Sequence, residues 1–303
     1  MNKNILITGG TGLVGSRLSE MLEQKGYTVS LLSRKAGEGQ RKKYVWDISS
    51  GHFDETAIKH ADYIIHLAGA GVFDKRWTQA YKKEIMSSRV DSTQLLATKL
   101  ATIPNSVKAI VAASAIGIYG FDTGDTLLSE NSPFGEGFLA EVCKNWEAAV
   151  DSIDGIRTIK MRIGIVLSEK GGALEQMAKP VNYFVGSPLG TGNQQVSWIH
   201  LDDMCGLLIF ALENEHIKGA YNAVAPNPVT NKLLTEKIAK ILKRPLWLPN
   251  IPSFMMKLIV GAEASSIILG GNNVSSKKIT DSGFKFKFPD LISALTDLLQ
   301  NKK

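Results

Sequence analysis

Along the first half of the chain, short apolar runs alternate with stretches in which apolar residues recur every three or four positions. A short apolar run predicts a buried strand, and the three-and-four spacing predicts a one-sided helix. The predicted strands cover residues 5–7, 28–32, 44–46, 63–67, 109–113 and 158–167. The first predicted helix ends at 25–26, and two further helices cover about 77–100 and 138–150. Alternating strands and helices form parallel sheets with helices on both faces, so we expect a doubly wound α/β fold of the Rossmann type.

The second half of the chain has a less regular pattern. Residues 202–212 predict a helix and 219–223 a strand. Near the end, Phe284, Phe286 and Phe288 alternate with lysines, which predicts a strand with one solvated face, and a leucine-rich stripe over 291–299 predicts a helix. We expect a Rossmann domain over residues 1–224, in which 167–194 contribute to a smaller lobe, and a small C-terminal α/β module over 225–303.

Composition and charge narrow the class of protein. Of the 303 residues, 44% are hydrophobic, which is enough for a large core. The longest clean apolar run, 204–212, is far shorter than the ~20 residues of a membrane span. The formal charge is +6 and the pI about 9.1. The longest run of basic residues is 41–43, close to the pair at 34–35, and no aromatics are interleaved, so we expect neither a nucleic-acid nor a membrane partner.

The two cysteines bear on location and metal binding. Cys143 and Cys205 give neither a disulfide framework nor a metal-ligand spacing. The first predicted strand begins close to Met1, which leaves no room for a signal peptide. We expect a cytoplasmic protein without a bound metal, and the sequence leaves a homodimer open.

A glycine-rich segment, TGGTGLVG at 8–15, joins the first predicted strand to the first helix. Its glycines recur every third residue, at Gly9, Gly12 and Gly15. Glycine suits these positions because the turn is tight, the backbone must approach a pyrophosphate, and the helix must pack closely on the strand. The helix N-terminus then offers free N–H groups to phosphate. At the start of a βαβ series this motif indicates a nicotinamide dinucleotide site. Its expected cofactor contacts are Gly9, Thr11, Gly12, Leu13 and Val14.

The end of the second predicted strand indicates which dinucleotide binds. NAD sites carry an Asp or Glu about 20 residues past the motif, where it bonds the ribose 2′-OH. This chain has Ser33 and Arg34 at that place. The arginine fork and the serine hydroxyl suit a 2′-phosphate, and Lys35 is a further cation there. We therefore expect NADP(H) as the cofactor.

Further motifs give the chain a family resemblance. They are HLAG at 66–69, RW at 76–77, KEIMSSR at 83–89, SA at 114–115, YG at 119–120, WEAA at 146–149, RIGIVL at 162–167, SWIH at 197–200 and DD at 202–203. Together with the glycine-rich motif they resemble the extended short-chain dehydrogenase/reductase superfamily and its NAD(P)-dependent epimerase/dehydratase family. Within that family they resemble the atypical subgroup of epimerase family proteins, and the resemblance covers nearly the whole chain.

The resemblance implies roles for particular residues. Leu67, Ala68 and Gly69 should pass under the phosphate–ribose part of the cofactor. Glu84 and Arg89 should face the cofactor, the first toward a ribose hydroxyl and the second toward phosphate. The remaining implied contacts are Asp47 near the adenine, and Ile163, Gly164 and Val166 by the nicotinamide. A small-molecule substrate is expected in a cleft between the two lobes.

The chain departs from this superfamily at its catalytic pair, Tyr-x-x-x-Lys. None of the seven tyrosines is followed by lysine four residues later. Aligned on the glutamate at 147, Leu139 takes the place of the tyrosine and Cys143 that of the lysine. The candidate catalytic residues are therefore Ser114, Tyr119 and Cys143, with Glu141 as a further acid.

Two classes of function follow from these observations. The first is an NADP(H)-dependent oxidoreductase or epimerase that acts on a small hydroxyl or carbonyl compound, such as a nucleotide sugar, without the usual pair. The second is a non-enzymatic NADP(H)-binding regulator or sensor. The tryptophans and acids of the second half suggest a ligand pocket and favour the enzyme.

His66 and Asp202 are given structural roles. We interpret His66 as a packed residue at the end of a strand, and Asp202 as the N-cap of the helix that follows it.

Overall fold

The computed structural model describes residues 3–37 and 39–300. Its helices are α1 Leu13–Gln24, α2 Thr56–Lys59, α3 Gln79–Ser87, α4 Val90–Thr102, α5 Phe138–Asp151, α6 Ala173–Asn182, α7 Leu201–Glu213, α8 Asn231–Leu242, α9 Ser253–Val260, α10 Ala262–Leu269, α11 Lys277–Asp281 and α12 Leu291–Gln300. Its strands are β1 Asn4–Thr8, β2 Thr28–Ser33, β3 Lys42–Asp47, β4 His52–Phe53, β5 Tyr63–His66, β6 Ala109–Ala115, β7 Leu127–Leu128, β8 Arg157–Ile163, β9 Ile165–Leu167, β10 Gln195–Val196, β11 Trp198–His200, β12 Gly219–Ala223, β13 Val229–Thr230 and β14 Asn273–Val274.

An eight-stranded sheet forms the centre of the fold, in the order β12-β8-β6-β5-β1-β2-β3-β4. All neighbours in it are parallel except β4, which pairs antiparallel with β3. The order runs outward from β1 in both directions, as in doubly wound sheets, where the crevice for a ligand lies at the carboxyl ends of the strands. The predicted Rossmann-type α/β fold is confirmed.

The sheet is covered on both faces because its strands alternate their side chains. In β1, Ile5 and Ile7 pack with α1 and α7, whereas Leu6 packs on the other side with residues of α2 and α4. A separate apolar cluster surrounds the fully buried Trp198 and joins α6, α8 and α12. This cluster ties residues from 167–198 to the C-terminal segment. The domain boundaries stay a prediction.

The prediction of one continuous helix over about 77–100 is wrong. The structure has two helices there, α3 and α4, with a break at Ser88 and Arg89. Near the break, side-chain hydroxyls donate hydrogen bonds to backbone carbonyls. The Ser92 hydroxyl donates to the carbonyl of Ser88, and the Thr93 hydroxyl donates to that of Arg89. Such side-chain bonds compete with the regular helical pattern.

The strand predicted over 158–167 is interrupted at Gly164. The Gly164 N–H donates to Ala223 of β12, and the next N–H, at Ile165, donates to Ser197. The chain therefore changes partner at this glycine. A Cβ on Gly164 would lie 2.7 Å from a methyl carbon of Val224, so only glycine fits without a shift of its neighbours.

The strand predicted at Phe284, Phe286 and Phe288 is also wrong, since these residues are in irregular structure. The predicted wet face is present even so, because Phe284 and Phe288 are buried while Lys285 and Lys287 between them are exposed. Their backbone is held by a side chain instead of a neighbouring strand: the carboxylate of Asp203 accepts the N–H groups of Lys287 at 2.7 Å and Phe288 at 2.9 Å.

Candidate functional site

The glycine-rich turn lies at the carboxyl end of β1, as predicted from its position after the first strand. Gly9 has a φ of +66°, and a Cβ there would lie 2.7 Å from the Leu67 carbonyl oxygen. A Cβ on Gly15 would lie 2.6 Å from the Gly10 Cα. Backbone from three segments therefore meets here at a distance that only glycine permits, and this leaves the space above the turn for a ligand.

The first turn of α1 is open to an anion. Gly12 is the N-cap residue, so no side chain caps the helix, and the first turn contains no acid. The N–H groups at the start of a helix have no intrahelical acceptor, and the helix dipole adds positive character. The backbone N–H groups of residues such as Leu13 and Val14 thus form a site suited to phosphate.

A chain of buried hydrogen bonds fixes the loop 67–69 beside this turn. The Thr8 Oγ1 accepts from the N–H groups of Leu67 and Ala68, each at 3.1 Å, and lies 2.7 Å from His66 Nδ1. With both amides donating to it, the hydroxyl directs its own proton to Nδ1. His66 Nε2 then donates to Thr93 Oγ1 at 3.0 Å. Burial lowers the pKa of His66 to about 4, so the ring is neutral at neutral pH and serves as a structural link.

Arg89 lies under the same loop. Its guanidinium donates to the carbonyls of Ala70 at 2.9 Å and Ile85 at 3.1 Å, stacks over the Trp146 ring, and is next to Gly69, whose Cβ would lie 3.1 Å from Arg89 Cζ. Within the described parts of the chain, no carboxylate lies within ion-pair distance of it. The break between α3 and α4 thus places a cation at the sheet edge.

Glu84 and Asp47 have other partners in the structure. Glu84, half exposed, forms an ion pair with Lys75 at 3.0 Å. Asp47 accepts hydrogen bonds from Ser49 and Ser50 in the turn after β3, and the Ser49 hydroxyl lowers the pKa of its carboxyl most. Their contacts with a ribose and an adenine stay predictions.

At the end of β2, the Ser33 hydroxyl donates to the Lys35 carbonyl at 2.6 Å, and Arg34 is exposed.

Beyond β8, the segment from Ile163 through Gly164 to Val166 passes between β12 and β11. Because β1, β2, β5, β6 and β8 are parallel, their carboxyl ends lie along one edge. This edge brings together the glycine-rich turn, loop 67–69, Ser33 and Ile163.

A buried polar network, here called the Glu147 network, lies behind this edge. The Glu147 carboxylate accepts from the Ser114 hydroxyl at 2.7 Å and from Arg162 Nε and Nη2 at 2.8 and 2.9 Å. Arg162 Nη1 donates to the Tyr119 hydroxyl, which itself donates to Asn222. Burial alone would lower the pKa of Arg162, but the bonds and charge of Glu147 outweigh it and raise that pKa.

This network contains two of the three predicted catalytic residues. Ser114 and Tyr119 are both buried, and each hydroxyl donates to another side chain. Burial raises the pKa of Tyr119 and is only partly offset by Arg162. The sequence pattern assigned none of Glu147, Arg162 and Asn222 to a site. Glu147 and Arg162 stand in the motifs at 146–149 and 162–167, which do not show which residues pair, and Asn222 stands in no motif.

Cys143 lies next to Leu139 on α5, as the alignment on Glu147 requires. Both face Gly117: a Cβ there would lie 3.6 Å from Leu139 Cβ and 3.9 Å from Cys143 Sγ. Burial raises the pKa of the Cys143 thiol to about 12, so the thiol is neutral at neutral pH. Glu141, on the same helix, is exposed.

The interpretation of Asp202 as a helix cap is wrong. The N-cap of α7 is His200, whose Nδ1 accepts the Asp202 N–H at 3.0 Å. The Asp202 carboxylate instead binds Arg17 of α1 through two bonds of 2.7 and 3.1 Å. An imidazole nitrogen supplies the cap, which frees the carboxylate to join α7 to α1.

The described residues contain neither a membrane-spanning helix nor a metal-binding cluster. None of the helices in residues 3–37 and 39–300 is long and apolar enough to cross a membrane. In the same ranges, no three His, Cys, Asp or Glu side chains are grouped so as to hold a metal ion.

A glycine-rich turn beneath an uncapped helix N-terminus, at the carboxyl edge of a doubly wound parallel sheet, defines a protein of the Rossmann class. More specifically, the chain belongs to the NAD dependent epimerase/dehydratase family, whose model matches residues 5–223. A second model, described as a domain of unknown function (DUF1731), matches residues 251–298. The predicted family is therefore confirmed.

Relatives of known name support the same subgroup. The chain is 38% identical to epimerase family protein YfhF of Bacillus subtilis (strain 168), over 99% of both chains. It is 32% identical to the human epimerase family protein SDR39U1 (isoform 2), solved with NADPH, with a TM-score of 0.88 over 98% of this chain and 99% of that one. The nucleoside-diphosphate sugar epimerase of Corynebacterium glutamicum is 31% identical, with a TM-score of 0.81 over 99% of this chain and 58% of that one.

Proposed function

We propose that this chain binds NADP(H) at the carboxyl edge of its sheet. The observation that carries the proposal is the first turn of α1, which has no side-chain cap and no acid and stands above glycines that leave room for a pyrophosphate. At the end of β2, Ser33 and Arg34 replace the acid of an NAD site and favour a 2′-phosphate. The human relative solved with NADPH supports the same cofactor.

The proposed activity is that of an oxidoreductase or epimerase that acts on a small hydroxyl or carbonyl compound. Bound NADP(H) would exchange a hydride with this substrate, which would lie between the sheet edge and a smaller lobe formed by 167–194 and 225–303. Nucleotide sugars are the first class to test, because the relative from Corynebacterium glutamicum is called a nucleoside-diphosphate sugar epimerase. Leu139 and Cys143 occupy the positions of the usual pair, so proton transfer would depend on another group.

Ser114 is the candidate with the most suitable geometry for such a role. Its hydroxyl donates to Glu147 and therefore presents lone pairs in other directions. In this state Ser114 accepts a hydrogen bond from a hydroxyl substrate more readily than it donates one to a carbonyl. The bidentate contact between Glu147 and Arg162 fixes the carboxylate that orients it.

A second candidate function, an NADP(H)-binding regulator or sensor, is favoured by a different observation. The hydroxyls of Ser114 and Tyr119 are both committed to the Glu147 network, and the thiol of Cys143 is held neutral by burial. All three named candidates for proton transfer thus have structural contacts that a non-catalytic protein would also need.

The cofactor is tested by titration of the purified chain with NADPH and NADH. Arg34→Ala should weaken NADPH binding by about 1.5 to 3 kcal/mol, the worth of a hydrogen bond to a charged group, and leave NADH binding unchanged. Arg244→Ala, an exposed arginine of the C-terminal segment, is the control and should change neither constant. Equal affinity for both cofactors, before and after the Arg34 substitution, contradicts the proposed preference.

The choice between the two functions needs a separate measurement. The wild-type chain with bound NADPH is incubated with a panel of carbonyl compounds that includes 4-keto nucleotide sugars, and loss of NADPH absorbance is followed. Oxidation by one member supports the enzyme. Tight NADPH binding with no oxidation by any member, and no NADP⁺ reduction by the corresponding alcohols, supports the regulator.

A further inference from the structure

A polar cavity lies between the glycine-rich turn and the segment that follows β2. Its volume is about 240 Å³, and its walls include Gly10 and Thr11 of the turn together with Gln40, Arg41 and Lys43. The backbone of the turn is the proposed pyrophosphate site, so a ligand group in the cavity would be joined to the pyrophosphate through a short linker. In NADP(H), the adenosine ribose is that linker, and its 2′-phosphate extends beyond the end of β2.

The alternation of β3 places Lys43 in this cavity. Tyr44 and Trp46 are buried on one face of the strand, within the core formed by α2 and α4. Lys43 therefore points to the opposite face, beside Leu31 of β2, its partner in register. Its ammonium reaches the segment after β2, since a Cβ on Gly37 would lie 2.9 Å from Lys43 Nζ.

The two cations of the cavity, Arg41 and Lys43, differ in whether a carboxylate of the described residues compensates their charge. Arg41 is held by Glu23 of α1 through two bonds of 2.7 Å, so its charge is already compensated. Lys43 has no carboxylate within 4 Å in residues 3–37 and 39–300. Among the described residues, Lys43 is thus the cation of this cavity whose charge no carboxylate compensates.

The charge of the ligand calls for a second cation. A phosphate monoester carries about −1.5 to −2 at neutral pH, because its second pKa is about 6. The single positive charge of Arg34 leaves part of this charge uncompensated. Of the two lysines near it in the chain or on the neighbouring strand, Lys35 and Lys43, it is Lys43 that lines the cavity. Lysine binds phosphate as a point charge, which suits the side of the group that the arginine fork does not cover.

We propose that Lys43 is a specificity-determining residue that binds the 2′-phosphate of NADP(H) from the wall of this cavity, in addition to Arg34. The inference rests on the proposed cofactor and adds a determinant from β3 to the one at the end of β2. It predicts that discrimination between NADPH and NADH needs both residues. It also predicts that Lys43 contributes to the affinity for a fragment that carries only the 2′-phosphate end of the cofactor.

The test compares Lys43→Gln with Lys42→Gln. Lys42 is the matched control, because it is the neighbouring lysine of the same strand but projects to the other face, over the Tyr44 ring. Affinities for NADPH, NADH, 2′,5′-ADP and 5′-AMP are measured by calorimetry. Lys43→Gln should weaken NADPH and 2′,5′-ADP by about tenfold and leave NADH and 5′-AMP within about twofold, and Lys43→Arg should restore most of the loss. Lys42→Gln should change none of the four.

The outcomes separate this inference from the proposed cofactor. If the wild type binds NADPH no more tightly than NADH, the proposed preference for NADP(H) fails, and the role of Lys43 fails with it. If the wild type prefers NADPH and Lys43→Gln keeps that preference, the cofactor stands and the role of Lys43 is refuted. Equal losses of NADPH and NADH affinity in Lys43→Gln, with an unchanged melting temperature, also refute a specific contact with the 2′-phosphate.

Discussion

The buried ion pair between Glu147 and Arg162 can be tested by its contribution to the free energy of unfolding. Glu147 and Arg162 are 5% and 3% exposed. The Arg162 charge is compensated by Glu147 at 2.8 Å, whereas the Glu147 carboxylate also lies 3.8 Å from the ammonium of Lys160. Glu147→Leu removes the acceptor of three hydrogen bonds, two from Arg162 and one from Ser114. The guanidinium then keeps only the Tyr119 hydroxyl and a backbone carbonyl as partners, and neither neutralises it.

The magnitude follows from this geometry. Removing one partner of a buried ion pair leaves an uncompensated charge and costs about 3 to 5 kcal/mol of the free energy of unfolding. Removing both charges costs much less, because neither is left without its partner and the neighbouring Lys160 keeps its ion pair with Asp151 at 2.6 Å. We therefore expect Glu147→Leu to lose about 3 to 5 kcal/mol, and the double variant with Arg162→Met to regain at least about 2 kcal/mol of it. The residual loss reflects the hydroxyls of Ser114 and Tyr119, which lose a partner each.

The assay is equilibrium urea unfolding of the wild type, both single variants and the double variant, followed by far-ultraviolet circular dichroism and by tryptophan fluorescence. The fluorescence comes from five tryptophans in different parts of the fold, one of which, Trp146, adjoins Glu147 in the chain. Coincident transitions would establish that the comparison is valid. A single variant that loses less than about 1 kcal/mol, or a double variant that loses the sum of the two single losses, would refute the argument for a mutually compensating pair.

Two further predictions concern the cofactor edge. The pKa of His66 is about 4 in the fold against an ordinary value of 6.5, so the folded state binds fewer protons and the stability from the neutral ring, present above pH 6.5, is lost as the pH falls toward 4. In the wild type, this titration should lower the free energy of unfolding by about 2 kcal/mol between about pH 7.5 and about pH 5. His66→Gln should lack this part of the decline. A decline as large as that of the wild type contradicts a buried neutral ring. Gly15→Ala places a Cβ 2.6 Å from the Gly10 Cα, so it should abolish measurable NADPH binding, whereas Gly26→Ala, at a glycine with open space beside it, is the control for lost stability alone. Retained NADPH affinity in Gly15→Ala would show that the turn can relax.

The features that the sequence predicted well are those encoded locally. The strand, glycine turn and helix of residues 4–24 are contiguous, and each follows from the residues within it. The same holds for the alternation of strands and helices that defines the fold class. The break after α3 and the irregular segment at Phe284–Phe288 were missed because each depends on a distant or competing bond. Asp203 holds the second segment from 84 residues away, and periodicity carries no sign of it.

The candidate catalytic residues show the same division between local and long-range information. Ser114 and Tyr119 were chosen because their residue types stand after the right strand. Whether a hydroxyl can transfer a proton depends on what else it bonds, and here both bond to side chains 33 and 103 residues away in the sequence. The same network explains why Ser114 stays ordered although the tyrosine and lysine of the usual pair are replaced. Its orientation comes from Glu147 and Arg162, which belong to α5 and β8, and not from the missing pair. Loss of the pair therefore leaves the serine in place, with its hydroxyl oriented by its bond to Glu147.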